Sequence, residues 1–297
     1  MHADQIDIEP AVAEALISEQ FGQFKGQPIV PLDTAGTVNR IFRIGSFHAA
    51  RFPMQAGDPV ALVNQVQAEA RASVEFAEVS PVPGPRPLGI GRPTPAYPLP
   101  WSVQTWIEGD IATPDGVSDS AAFAGDLVRL ISGLRAAPLA GRVFAGPGRG
   151  GHLPDHDGWM DMCLERSAGL LDVARLRRMW AQFRTAARPE SEVMSHKDLI
   201  PGNLVVRDKR LVGVLDTGGF GPADPALDLV AGWHLLDRER RAHLRHGLGV
   251  SDLEWRRGAA WAFEQAMGLV WYYEKSNPAM SALGRSTLAR LMDDSDW

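Results

Sequence analysis

Asp198 is the residue from which a reaction can be read. It lies in Ser195-His196-Lys197-Asp198-Leu199-Ile200-Pro201-Gly202-Asn203, which fits the spacing His-x-Asp-x-x-x-x-Asn. That spacing sets a carboxylate close to a downstream amide, the pairing that phosphoryl-transfer loops use. Leu204-Val205-Val206 and Leu211-Val212-Gly213-Val214-Leu215 flank the polar turn Arg207-Asp208-Lys209-Arg210, the pattern of a β-hairpin. A hairpin returns its chain to where it began, so Asn203 and Asp216 are expected together at its open end. Two oxygen ligands meeting there suit Mg²⁺, which takes a few carboxylates and carbonyls along with nucleotide phosphates. Phosphoryl transfer asks a protein for positioning and charge neutralisation more than for covalent help. On this reading Asp198 accepts or orients the proton of an attacking hydroxyl, Asn203 and Asp216 hold metal, and His196 supports the loop. Pro201-Gly202 lets the backbone turn sharply before the metal ligand.

The elements that must position these residues fall into two parts. Residues 10–21 carry apolar side chains at helical spacing, and strand-like runs follow at 29–32, 41–44 and 47–52. Asp58-Pro59 reads as a cap and first turn of a helix that presents Leu62, Val66, Ala70 and Val74 on one face. Residues 81–100 hold eight prolines, which excludes regular structure there. A strand-like run over 101–107, closed by Glu108-Gly109, marks the passage from a small lobe to a larger one. Beyond it the pattern is mostly helical, over 118–134, 157–171, 172–187, 224–236 and 252–275.

These motifs resemble the aminoglycoside phosphotransferase family, the antibiotic- and choline-kinase-like branch of the protein-kinase fold. The likeness runs from about Val30 to Leu236 and is strongest from His196 to Leu229. It implies an α+β, bilobal protein-kinase-like fold, with a β-rich N-lobe over 1–107 and a larger, mostly helical C-lobe over 108–297. It implies ATP or GTP as phosphate donor, with Mg²⁺, and a small-molecule hydroxyl as acceptor. Asp228 matches the family's acidic residue that supports the catalytic loop from a following helix, while Asp224 with Pro225 reads as a helix cap and first turn. The turn containing Gly36, Thr37 and Asn39 sits where the family covers the nucleotide phosphates. Arg51 stands in place of the kinase strand lysine, and its planar guanidinium meets phosphate with a different geometry. Glu69 is either its partner or a solvated helix carboxylate. Gln104, Thr105 and Trp106 correspond to the hinge that holds adenine through main-chain groups.

The short path from Asp216 to Asp228 leaves no room for an activation loop, so a small acceptor is expected rather than a protein. An antibiotic-like acceptor, a macrolide, a choline-like amine, a sugar or another metabolite all remain open. So does a nucleotide-binding protein without catalysis, which Arg51 and the glycine-poor turn at Gly36 favour. Asp157, Asp161, Glu165 and Glu264 are either receptors for an amine-rich acceptor or solvated helix faces.

Composition removes other classes. A formal charge of −6 with no basic run argues against nucleic-acid binding. Cys163 is the single cysteine, so the chain contains no internal disulfide and no cysteine-based zinc site. No stretch approaches the ~20 apolar residues of a membrane span, and the N-terminus lacks a secretory pattern, so a cytoplasmic protein is expected. Gly146-Pro147-Gly148-Arg149-Gly150-Gly151 lacks the Lys-Ser/Thr ending of a phosphate loop and reads as a flexible loop. His152 and His156 do not fit a helical zinc motif, because Pro154 interrupts them. Trp255, Trp261, Phe263, Trp271 and Tyr272 read as packing of the large lobe. Oligomeric state is not legible.

Overall fold

Apolar side chains at alternate positions draw the first part of the chain into a sheet with one buried face. In the computed structural model, which describes residues 6–32, 39–146 and 148–294, α1 (Pro10–Gln20) leads into β1 (Ile29–Leu32), β2 (Asn39–Ile44) and β3 (His48–Pro53). α2 (Pro59–Val79) follows, then β4 (Pro87–Gly91) and β5 (Trp101–Thr105). The strands form a five-stranded antiparallel sheet in the order β1-β2-β3-β5-β4. Phe42, Ala50 and Val103 are consecutive partners across it, and all three are fully buried. Arg51, one residue along β3, therefore points to the other face. Trp101 stacks on Phe52 with ring centroids 4.6 Å apart, which makes this tryptophan a core residue.

Two expectations are corrected here. The proline-rich stretch does build a strand, β4, at the sheet edge, where a residue without an N–H is tolerated. On α2 the buried residues are Val66 and Phe76, while Val74 is exposed. Steps of four residues gain about 40° each on a helix of 3.6 residues per turn, so Val74 drifts off the face that began at Leu62. The foreseen cap at Asp58 is present, with Oδ1 accepting from the Ala61 N–H at 2.8 Å.

The chain forms two compact units. One gathers the residues up to Glu78 with Pro83–Glu108 and Asp216–Gly218, and the other takes the remainder. The second unit contains β6 (Asp110–Ile111), α3 (Pro114–Val117), α4 (Ala121–Arg135), α5 (Asp157–Arg166) and α6 (Val173–Phe183). It continues with β7 (Val193–Ser195), β8 (Leu204–Arg207), β9 (Arg210–Val214) and β10 (Gly221–Ala223). The chain ends in α7 (Val230–Leu235), α8 (Arg238–Leu248), α9 (Asp252–Tyr272) and α10 (Pro278–Asp293).

α9 is buried almost all round, as suits a helix at the centre of its unit. Trp255, Trp261 and Phe263 lie in that core, whereas Tyr272 is exposed. Gly258 lets α9 approach closely, because a Cβ there would meet Leu229 Cβ at 2.8 Å. The helix expected over 224–236 is shorter than foreseen. A turn at Asp224 and a 3-10 turn over Leu227–Leu229 precede α7. No helix among the described residues is long and apolar enough to cross a membrane.

Candidate active site

The hairpin β8–β9 is built as its sequence suggests. Asp208 and Lys209 have φ of 51° and 57°, a left-handed pair that matches the twist of a tight hairpin. Buried Asp126 on α4 fixes the turn by accepting from the Leu211 N–H at 3.0 Å and from Arg210 Nε at 2.7 Å. At the open end, the Leu215 N–H donates to the Asn203 carbonyl at 2.7 Å. Asp216 is the next residue along the chain.

The loop before the hairpin is held by its own polar groups and by Asp228. The two carboxylate oxygens of Asp228 accept the N–H groups of His196 and Lys197, at 3.0 and 3.1 Å. Lys197 adopts a left-handed φ of 74°, a strained state for a side chain of this size. Burial lowers the Lys197 pKa, against the opposing pull of Asp228. His196 Nε2 donates to the Leu215 carbonyl at 2.8 Å, and its Nδ1 accepts from the Asp198 N–H at 3.3 Å. A single neutral tautomer satisfies both contacts, so the ring ties the loop to the end of the hairpin.

Asp198 is half-buried and surrounded by donors. Oδ2 accepts from Asn203 Nδ2 at 3.1 Å, while Oδ1 accepts from Gln265 Nε2 at 2.9 Å and Arg149 Nη2 at 2.8 Å. Asn203 Nδ2 also donates to the Asp198 carbonyl at 2.9 Å, which turns Asn203 Oδ1 away from the loop. In the first unit, Asp216 has φ of 54° and its Oδ1 accepts from Arg51 Nη2 at 3.0 Å. Asn203 in the second unit and Asp216 in the first each carry a hard oxygen donor of the kind Mg²⁺ takes with phosphate and water. By donor type each residue suits such an ion. Among the described residues no three His, Cys, Asp or Glu side chains gather into a metal-holding group.

Other expected positions are arranged differently. Arg51 pairs with Asp216 and not with Glu69, whose Oε1 accepts from Gln65 one turn away at 2.9 Å. Gly36 and Thr37 lie outside the described residues, whereas Asn39 opens β2 opposite Pro53. Gln104 is paired inside the sheet. The N–H groups of Thr105 and Trp106 are already given to the carbonyls of Arg86 and Phe47, at 3.0 and 2.7 Å. The expected cap residue Asp224 is instead a buried anion. Its Oδ2 accepts from Arg257 Nε and Trp261 Nε1, both at 2.8 Å, and its Oδ1 from the Ala226 N–H.

The model of the phosphotransferase enzyme family matches residues 32–261. The chain belongs to that family. It is a phosphotransferase. No curated protein matches it. Solved structures share its fold at low identity. The GDP complex of wild-type aminoglycoside 2′-phosphotransferase-IIIa superposes with a TM-score of 0.71 at 17% identity, covering 96% of this chain and 99% of that one. The apoenzyme of macrolide 2′-phosphotransferase from Brachybacterium faecium gives 0.61 at 16% identity, covering 92% and 98%. The streptomycin–ATP–APH(2″)-IIa ternary complex gives 0.60 at 12%, covering 95% and 99%. The expected α+β fold, sheet-rich first and helical later, is the one observed.

Four residues around Asp198 were not singled out from sequence for the places they hold. Arg149 comes from the glycine-rich loop and reaches Asp198. Gln265 on α9 reaches the same oxygen and accepts at Oε1 from His234, which is buried on α7. Glu264, considered only as an acceptor-binding acid, faces His156 Nδ1 at 3.0 Å. The only local signal was the run of glycines around Arg149, which shows a loop but not its target.

Proposed function

We propose that this phosphotransferase moves the γ-phosphate of ATP or GTP, presented with Mg²⁺, to a hydroxyl of an antibiotic-like or metabolite acceptor. The observation that carries the reading is Asp198, its carboxylate held from both sides, followed by Asn203 and the hairpin that ends at Asp216. Asp198 takes the hydroxyl proton as the oxygen attacks phosphorus. Arg51 receives phosphate oxygens through its planar fork. Asn39, with Gly36 and Thr37 before it, lies over the phosphates, and Glu69 packs against Gly218 close in sequence to Asp216. Gln104, Thr105 and Trp106 flank the adenine or guanine. Asn203 and Asp216 hold the ion, which neutralises charge on the phosphates when bound. His196 and Asp228 keep the loop in shape.

The segment from Asp216 to Asp228 is occupied by a 3-10 turn, β10 and a second 3-10 turn, which supports a small acceptor over a protein. Two of the acids weighed as amine receptors are spent on the protein's own cations. Asp157 pairs with Arg184 and Asp161 with Arg177. That supports a neutral or singly charged acceptor over a polyamine.

The test is nucleotide consumption with MgATP and MgGTP against kanamycin, erythromycin and choline. Erythromycin is expected to outrun kanamycin. Asp198→Ala is expected to lower transfer by about 10²–10⁴-fold while nucleotide binding persists. Full activity in that variant would remove Asp198 from the reaction.

A further inference from the structure

Asp198 carries a cation that its role as proton acceptor does not need. Arg149 Nη2 lies 2.8 Å from Asp198 Oδ1, and Arg149 Nη1 lies 4.0 Å from Glu264 Oε2. The Glu264 side chain is only 6% exposed. Its Oε1 faces His156, but its Oε2 is shielded from solvent and has no hydrogen-bond partner. A buried acceptor left without a donor is destabilising, more so when it is charged. One guanidinium therefore fronts two carboxylates and satisfies one of them. A shift of about 1 Å would bring it within hydrogen-bond distance of the second.

The surroundings permit that shift. Arg149 lies between Gly148 and Gly150, and its side chain is 30% exposed, so packing does not fix it. Gly150 is pinned, because the Asp224 N–H donates to its carbonyl at 2.8 Å. The two Asp198 oxygens also differ in outlook. Oδ2 is turned back against Asn203 of its own loop, whereas Oδ1 is turned toward α9 and the Arg149 loop.

We propose that Arg149 is a positioning residue with two stations, Asp198 Oδ1 when no acceptor is bound and Glu264 Oε2 when an acceptor hydroxyl takes its place. The proposal rests on Asp198 being the proton acceptor. Gln265 and Arg149 together fill Oδ1, and departure of the arginine frees a lone pair there for the incoming O–H. The released cation is not stranded, since Glu264 offers a buried anion that lacks a donor. With Arg149 in place the carboxylate is withheld from water, which restrains idle hydrolysis. In that side reaction a water oxygen bonds to the γ-phosphorus and the bond to the bridging oxygen breaks. The electron pair leaves with the nucleoside diphosphate, and the water proton passes to Asp198.

Both halves can be tested on the full chain without a known acceptor. In a crystal structure of Asp198→Asn, Arg149 is expected within hydrogen-bond distance of Glu264 Oε2. A guanidinium still at position 198, with the wider gap to Glu264 intact, would overturn the exchange. Hydrolysis of MgATP and MgGTP without acceptor is expected to rise at least about threefold in Arg149→Ala and Arg149→Gln, a barrier change of about 0.65 kcal/mol or more. The rise should vanish when Asp198→Ala is added. Unchanged hydrolysis in both Arg149 variants, with native circular dichroism, would overturn the capping role. If the rise persists when Asp198→Ala is added, the assignment of the base fails, and the Asp198→Asn structure still decides the exchange.

Discussion

His234 shows how a single buried ring can set the orientation of a group that touches Asp198. Its Nε2 lies 2.9 Å from Gln265 Oε1 and its Nδ1 lies 2.9 Å from Thr287 Oγ1. The Gln265 oxygen can only accept, so Nε2 carries the proton and Nδ1 takes the threonine hydroxyl. That fixes the Gln265 amide with its Nε2 toward Asp198. Burial holds the His234 pKa down to about 4. The sign of the pH effect follows. Between pH 6.5 and 4 the unfolded chain binds a proton that the folded chain refuses, so stability falls as pH falls through this window. At 1.36 kcal/mol per unit the loss is at most about 3 kcal/mol. Urea unfolding at pH 7 and pH 4.5 should show it, and His234→Gln should flatten the difference. An equal drop in that variant would assign the pH effect elsewhere.

At the scale of elements, α9 is anchored to the chain after β10 by an ion pair that solvent does not reach. Asp224 and Arg257 each have about 1% of the side chain exposed, and Arg257 Nη1 also donates to the carbonyls of Ala186 and Ala187. Removing one partner of such a pair strands a buried charge, at a cost of roughly 3–5 kcal/mol. Asp224→Ala is expected to lower the urea midpoint accordingly, and Asp224→Asn by less. This anchor was not legible in the sequence, where Asp-Pro looks like a helix start. A carboxylate reads as a cap until its distant partner is known, and Arg257 lies 33 residues on. Asp198, Asn203 and the hairpin were legible because their relations are local. α8 was missed because its buried residues are only Arg241 and Leu244, too few to mark a face, although Asp237 caps it and left-handed Gly249 ends it. β4 was missed because proline content was read as a bar to any strand, when an edge position tolerates it.

For the whole molecule, the lone thiol offers a probe of how far nucleotide binding spreads. Cys163 is fully buried in the core of the second unit, and burial pushes its thiol up to about 12. A neutral, enclosed thiol does not react with iodoacetamide, because the thiolate is the nucleophile and must be exposed. Labelling therefore requires opening of that unit. A ligand that binds only the folded state adds about 2.7 kcal/mol at a concentration of one hundred times Kd, which slows labelling about a hundredfold. Arg51 and Asp216 belong to the first unit, whereas Asn203 and Cys163 belong to the second. Protection of Cys163 by MgATP or MgGTP thus tests whether Asn203 shares in holding the nucleotide, and the nucleotide that protects at lower concentration is the one bound more tightly. Asn203→Ala should lose most of the protection. Labelling of the wild type that is indifferent to saturating nucleotide would mean that the second unit contributes nothing to its binding, and would remove Asn203 from the proposed metal site.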